Sequence, residues 1–476
     1  MTDTPATLVT RRKILRLAAA GVAACLPGAG FQRNVYGAPA DYKQQIRKKV
    51  EETLFIDTHE HLLEEEERLT GDSPRIRSND WSYLISHYIN SDLITAGMPQ
   101  TRMDEFFSPE PDPIQKWDLL EPFWQSVRHT GYGQAVEITL RKLYDIPQLN
   151  REAIPKLQDA YLRTIKPGYY KTVLQEICKI DSCQVNYLAA PFSESKQPTL
   201  LMQDISILGM HIGPNIKAYA PATGIEVKDL SDWHRVIDWW FEQYGPYAVA
   251  VKSQAAYGRA LDYEQLKAEE VAPAFARYLN GDALQPEERK RMEDHLFWYC
   301  VNKAAEYDLP VKIHTGYYAG HNSMPLSRVQ TNAASVTDLS RAAPHVKWVF
   351  MHIGYPYYED LIAAAKHYTN CHIDMCWAWI LSPVASVNFL KQYLVTAPAN
   401  KVFTFGGDYM PVEPVIGHAH LARQGIINTL CQLVEEDWLT MDDALNLVEP
   451  VMNGNARQTF HVEEKKKKLE HAPWLA

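Results

Sequence analysis

Leu54-Phe55-Ile56-Asp57-Thr58-His59-Glu60-His61 is the stretch on which the reading of this chain turns: an apolar run leading into two histidines one residue apart. Residues i and i+2 of an extended strand point the same way, so His59 and His61 can grip one cation from one side. Neutral imidazole is a good ligand for a borderline ion such as zinc. Four more side chains with metal-site chemistry follow in order. Lys252 ends Tyr247-Ala248-Val249-Ala250-Val251, and His314 ends Val311-Lys312-Ile313. His352 ends Val346-Lys347-Trp348-Val349-Phe350-Met351, and Asp408 ends Val402-Phe403-Thr404-Phe405-Gly406-Gly407. Each run is short, apolar and rich in β-branched or aromatic residues, the pattern of a buried parallel strand. In a β/α barrel such strand ends converge on one face, so residues hundreds of positions apart can surround one ion. The chain is therefore predicted to be α/β, a (β/α)8 TIM barrel.

A His-x-His pair alone says little in a chain with 17 histidines, and His418-Ala419-His420 is another. That second pair follows Pro411 and Pro414 and opens a helical pattern, so it is not read as a ligand pair. Cys183 to Ala189, Leu200 to Ile205 and His372 to Met375 supply strands 2, 3 and 7. Cys376, at the end of strand 7, is placed where it could touch the pocket.

The set of strand-end residues resembles the amidohydrolase superfamily, whose pattern is His-x-His after strand 1, Lys or Glu after strand 4, His after strands 5 and 6, and Asp after strand 8. It is most similar to the amidohydrolase-related (amidohydrolase 2) branch, over about Leu54 to Phe460. The phrases that carry the likeness are Val251-Lys252-Ser253 with Ala256-Tyr257-Gly258-Arg259, Ile313-His314-Thr315-Gly316, Met351-His352 with Tyr355-Pro356-Tyr357, Phe405-Gly406-Gly407-Asp408 and Asn453-Gly454-Asn455-Ala456-Arg457. The resemblance implies a metal-dependent barrel enzyme. It also implies that Lys252, as a carbamate, could bridge two ions as in binuclear members.

Composition agrees with a soluble enzyme: 46% hydrophobic and 22% charged residues. A formal net charge of −10 argues against nucleic acid or an anionic membrane as a general partner. The partner is expected to be a small-molecule substrate, with self-association left open. Residues 1–40 read as a twin-arginine signal: Arg11-Arg12, an alanine-rich apolar stretch, then Ala38-Pro39-Ala40 in the form of a cleavage site. The apolar stretch is too short to span a membrane, so no stable insertion is expected after cleavage. Periplasmic export of a folded domain, 41–476, follows. A lipoprotein built on Cys25 is the lesser reading. Residues 62–179 read as a helical cap inserted after strand 1, over the active-site face, with many aromatics including Trp81, Trp117 and Trp124. Lys465 to Lys468 reads as a solvated tail.

The chemistry expected is hydrolysis of a C–N or C–O bond, in an amide, lactone or similar small molecule, by a metal-bound hydroxide. His59, His61, Lys252, His314, His352 and Asp408 are the candidate ligands for one or two divalent ions, zinc foremost. Asp408 is the expected proton acceptor, and His352 is either a ligand or an orienting group. Lys252 is either a carbamate ligand or a cation that holds substrate. Tyr257 and Arg259 are candidates for binding an anionic substrate group. The alternative is a non-hydrolytic decarboxylase or a uronate-isomerase-like enzyme on the same barrel, because fold does not separate these reactions.

Overall fold

The computed structural model describes residues 41–71 and 73–475. The expected signal, with Arg11, Arg12 and Cys25, lies outside them. Among the described residues the strands are β1 (Phe55–Glu60), β2 (Ile180–Val185), β3 (Leu201–Gln203, resumed at Ile205–Ser206), β4 (Val251–Ser253), β5 (Val311–Ile313), β6 (Trp348–Met351), β7 (Cys371–Asp374) and β8 (Val402–Phe403). All neighbouring strands pair in parallel, in chain order. Every residue of β1 is buried, as a strand covered on both faces must be.

Two seams show how the sheet runs round on itself. At Asp204 the chain changes partner: its N–H donates to the Val185 carbonyl at 2.9 Å, and the next N–H, of Ile205, donates to Ala250 at 2.9 Å. At the other seam the segment after β8 pairs with β1. Thr58 N–H donates to Phe405 at 3.0 Å, Asp408 N–H to His59 at 2.8 Å and His61 N–H to Tyr409 at 3.0 Å. This last seam sets Asp408 beside the two histidines of β1 through backbone bonds alone. The fold is the α/β barrel expected.

Between β1 and β2 the chain is helical, with the longer pieces Pro113–Val127, Gly131–Tyr144 and Ile154–Thr164. Asp112 starts the first with a capping box, its carboxylate accepting from Gln115 N–H while the Gln115 side chain accepts from Asp112 N–H. Trp81, Trp117 and Trp124 are buried in this cap. The cap helix Gly131–Tyr144 lies backbone to backbone on helix Val415–Glu435. A Cβ at Gly417 would come 1.9 Å from the Ala135 carbonyl oxygen, so only glycine permits the approach. Inside the barrel, Lys312 is fully buried and donates to Asp204 at 2.9 Å and to the Thr58 carbonyl at 2.7 Å.

The lysine run at the C-terminus departs from expectation. Val462–Leu469 is a helix, and Lys465 is buried with its ammonium donating to the carbonyls of Gly245 and Pro246 at 3.1 and 3.2 Å. Lys466 pairs with Asp181. A run of like charges looks solvated in one dimension, but carbonyls at a neighbouring helix end take up these donors. The second His-x-His pair lies within helix Val415–Glu435, where i and i+2 do not face the same way. His418 is buried against the Gly407 carbonyl at 3.1 Å.

Candidate metal centre

The strand ends bring His59, His61 and Asp408 together, with one potential ligand atom from each mutually within 4.8 Å. Asp408 Oδ1 lies 3.3 Å from His59 Nε2 and 3.2 Å from His61 Nε2. His352 Nδ1 lies 3.9 Å from the other carboxylate oxygen, Oδ2. A second group of three, His352, Cys376 and Asp408, likewise has one potential ligand atom from each within 4.8 Å of the others. Lys252 joins them: its Nζ is 3.1 Å from His59 Nε2 and the residue is 1% exposed.

Hydrogen bonds on the far side of the rings decide which nitrogen faces inward. His61 Nδ1 lies 2.9 Å from the Asn186 carbonyl, which can only accept a proton. A neutral His61 therefore presents a lone pair at Nε2, toward Asp408. His314 Nε2 lies 3.0 Å from the Tyr317 carbonyl, which leaves its lone pair on Nδ1. The His314 ring packs 4.3 Å from that of His352, although His314 is in neither ligand group. Both ring nitrogens of His352, and Nδ1 of His59, are buried without a hydrogen-bond partner. Buried polar nitrogens are rarely left so, and a lone pair 3.2 Å from a carboxylate oxygen calls for a shared cation. These residues fit a divalent ion.

The electrostatics favour the same state. Burial holds His59 and His352 well below the usual histidine range, and the charge of Lys252 adds to this at His59. Burial and Lys252 together lower His314 to about 3. All three rings are neutral donors at neutral pH. Burial pushes the Asp408 carboxyl up, but His59, His61 and His352 outweigh it and hold the group well below the usual carboxylate range. Burial also lowers the Lys252 ammonium against the opposing pull of Asp408, which makes the free amine more accessible.

Beneath the ligands sits a buried acid pair that sequence reasoning left without a role. Asp57 Oδ1 accepts from the N–H groups of His59 and Gly407, each at 3.1 Å, and Glu60 Oε2 accepts from Tyr409 N–H at 2.7 Å. Burial pushes Asp57 up to about 7, and burial with the adjacent Asp57 pushes Glu60 well above the carboxylate range. The pair laces β1 to the 407–409 turn and so sets the spacing of the ligands. Its signal was present in the carboxylates flanking His59, but not its partner strand. The cap contributes too: Tyr88 donates its hydroxyl to the Asp408 carbonyl at 2.5 Å, and its ring lies 4.6 Å from Trp377. His352, Cys376 and Asp408 all have positive φ, 63°, 42° and 59°. Non-glycine residues seldom adopt this conformation, and such strain collects at functional sites.

Tyr257 stands at the edge of this cluster, its ring 4.6 Å from His314 and its hydroxyl accepting from Ala319 N–H at 3.0 Å. Arg259 does not join it. Its guanidinium pairs with Asp294 and Glu293 of helix Pro286–Glu306 and lies over the Tyr263 ring. The acids of an outer helix already neutralise Arg259, and they lie too far along the chain for local reading to find.

Residues 249–462 match the amidohydrolase family profile. Over that region the chain is similar to amidohydrolases, and its fold is the α/β barrel shared with the solved structures below. The matched region includes Lys252, His314, His352, Cys376 and Asp408. Among curated proteins, protein fluG of Emericella nidulans is 22% identical over 231 residues, 46% of this chain and 26% of that protein. The chain thus spans about a quarter of that relative's length. The fold is similar to a uronate isomerase of Thermotoga maritima, with TM-score 0.70 and 12% identity over 89% of this chain and 98% of that one. It is also similar to a glucuronate isomerase of Caulobacter crescentus, with TM-score 0.69 and 14% identity over 90% and 96%. A Lactobacillus casei protein assigned provisionally as a metal-dependent hydrolase gives TM-score 0.61 and 13% identity over 88% and 98%.

Proposed function

We propose that this protein is a metal-dependent hydrolase that cleaves a C–N or C–O bond of a small molecule, such as an amide or lactone. The observation that carries this reading is the Asp408 carboxylate, with Oδ1 facing His59 and His61 and Oδ2 facing His352. His59, His61 and Asp408 would hold a divalent ion, zinc by the nitrogen and oxygen character of the set. Lys252, as its carbamate, and His352 with Nδ1 of His314 would serve a second ion. When bound, a divalent ion supplies Lewis acidity toward water and a carbonyl oxygen.

The chain's own groups handle the proton and the substrate. Asp408 is the base: it takes a proton from attacking water and returns it to the leaving group. Trp377, whose ring is 5.3 Å from His352, keeps bulk water from that side. Tyr257 forms the substrate-facing wall beside His314. The twin-arginine pattern in residues 1–40 supports export of the enzyme to the periplasm.

A second reading draws on the names of two fold neighbours, both isomerases of uronic acids. There the same base would move a proton between adjacent carbons with no net addition of water, and a decarboxylase on this barrel would release carbon dioxide. One experiment separates these. Metal-loaded protein is offered amides, lactones, esters, carboxylated aromatics and uronates, and products are followed by mass spectrometry in H2 18O. Incorporation of labelled oxygen with scission supports hydrolysis. An unchanged mass with a new retention time, or loss of carbon dioxide, rejects it.

A further inference from the structure

We propose that Cys376 is a thiolate ligand of the metal centre, joining His352 and Asp408 among the donors of the second position, beside the one formed by His59, His61 and Asp408. The inference rests on the metal-centre reading above and deepens it.

Six cysteines are described, all of them free and buried, and a buried free cysteine usually serves as a small hydrophobe. Cys376 is set apart from the other five by position. It is the cysteine that falls, among the described residues, in a group of three ligand atoms mutually within 4.8 Å. The group has a second feature that points to a ligand. His352 is 0% exposed, and neither of its ring nitrogens has a hydrogen-bond partner. Two unpartnered nitrogens in a dry interior are costly unless something binds them. Asp408, the third member, is shared with the other position, so its two carboxylate oxygens can serve one ion each.

The backbone brings the sulfur there. β7 ends at Asp374, paired in register with Phe403 of β8. Asp374 Oδ1 accepts from Cys376 N–H at 2.9 Å, which pins the turn. The Sγ atom lies at the seam of β1 and β8: a Cβ built on Gly406 would be 3.0 Å from Sγ and 3.1 Å from the backbone nitrogen of His59. Glycine at 406 is what leaves room for the sulfur beside the ligand strand. A set of one sulfur, one imidazole nitrogen and one carboxylate oxygen is softer than the neighbouring two-nitrogen, one-oxygen set. It would favour zinc or cobalt over magnesium or calcium. On binding, the thiol gives its proton to solvent and the sulfur lone pair forms the bond to the ion, so no oxidant is involved.

Cobalt(II) loading of the full-length protein tests this with absorption as the readout. Visible ligand-field bands report cobalt in the site as a whole, and a near-ultraviolet sulfur-to-cobalt charge-transfer band reports the thiolate. The expected result is both sets of bands in the wild type. In Cys376→Ser the charge-transfer band is lost, the visible bands remain, and bound cobalt falls from about two ions to about one. Cys431→Ser should leave both sets unchanged. Zinc-edge X-ray absorption on wild-type protein makes the test independent of how the variant folds, and should show a sulfur neighbour at about 2.3 Å. Visible bands without charge transfer, or a zinc shell of nitrogen and oxygen alone, overturn the assignment of Cys376 while leaving the metal centre intact. Failure to bind cobalt or zinc at all overturns both.

Discussion

Asp408 is the residue at which two sets of donors meet, and its substitution separates binding from turnover. Asp408→Asn keeps an oxygen donor but loses the base, so it should retain much of the metal while kcat falls by about 10²–10⁴-fold. His59→Ala and His61→Ala remove donors of the first position and should lose metal and activity together, read by elemental analysis beside the kinetics. Near-normal turnover in fully loaded Asp408→Asn would remove Asp408 from proton transfer. Lys252 poses a different question. Its amine lies 3.1 Å from the His59 nitrogen that also faces Asp408, within a buried cluster of donors. As a carbamate it adds negative charge where cations gather, so Lys252→Ala should lower bound metal from about two ions to about one. Unchanged stoichiometry with a raised KM would assign the lysine to substrate instead.

Among the elements, the cap and the barrel are tied by one buried ion pair. Arg68, in the short helix Glu65–Thr70 after β1, donates to Glu413 at 3.0 Å, with both side chains at or below 1% exposed. Arg68 also meets Asn79 at 3.1 Å and the Tyr161 hydroxyl, both in the segment between β1 and β2. Glu413 follows β8 by ten residues, in the turn that carries Asp408 toward helix Val415–Glu435. Removing one partner strands a buried charge, which typically costs about 3–5 kcal/mol. Arg68→Ala should therefore lower the urea midpoint strongly, and Arg68→Ala with Glu413→Leu should recover part of the loss because no charge is left unpaired. Equal midpoints for the single and double variants would show that the loss comes from packing rather than charge.

For the whole molecule, a half-buried histidine away from the site makes stability depend on pH. His234 stacks on Tyr299 at 4.0 Å and meets His295 at 3.1 Å, and burial with the neighbouring His295 lowers it to about 4. Between about pH 6.5 and 4 the unfolded chain binds a proton at this residue that the folded protein does not, so acidification favours unfolding. Burial raises Asp57 to about 7 and Asp374 to about 6, and these act in the opposite sense, gaining stability as pH falls. The comparison that isolates His234 is wild type against His234→Gln, in which the carboxylate contributions cancel. The stability difference, wild type minus variant, should fall by about 1–2 kcal/mol from pH 7 to pH 4, allowing for solvent screening of a partly exposed ring. A difference that stays level across that range would show that His234 titrates alike in both states.

What the chain determined by itself was the order and spacing of the ligands. Strand periodicity is local, so Phe55 to His61, Val311 to His314 and Trp348 to His352 announce buried strands ending in donors before any contact is known. A parallel barrel then requires those ends to share one face, because every strand runs the same way. Tertiary structure decided what each donor does there. The Asn186 carbonyl selects the inward nitrogen of His61, and the Tyr317 carbonyl selects that of His314. Two acids on a distant helix neutralise Arg259, and the carbonyls of Gly245 and Pro246 bury the ammonium of Lys465. Cys376 meets His352 and Asp408 only because β6, β7 and β8 lie side by side. Hydrogen-bond and charge pairing depend on distances of a few ångströms between residues far apart in sequence. Those distances exist only once the barrel has closed.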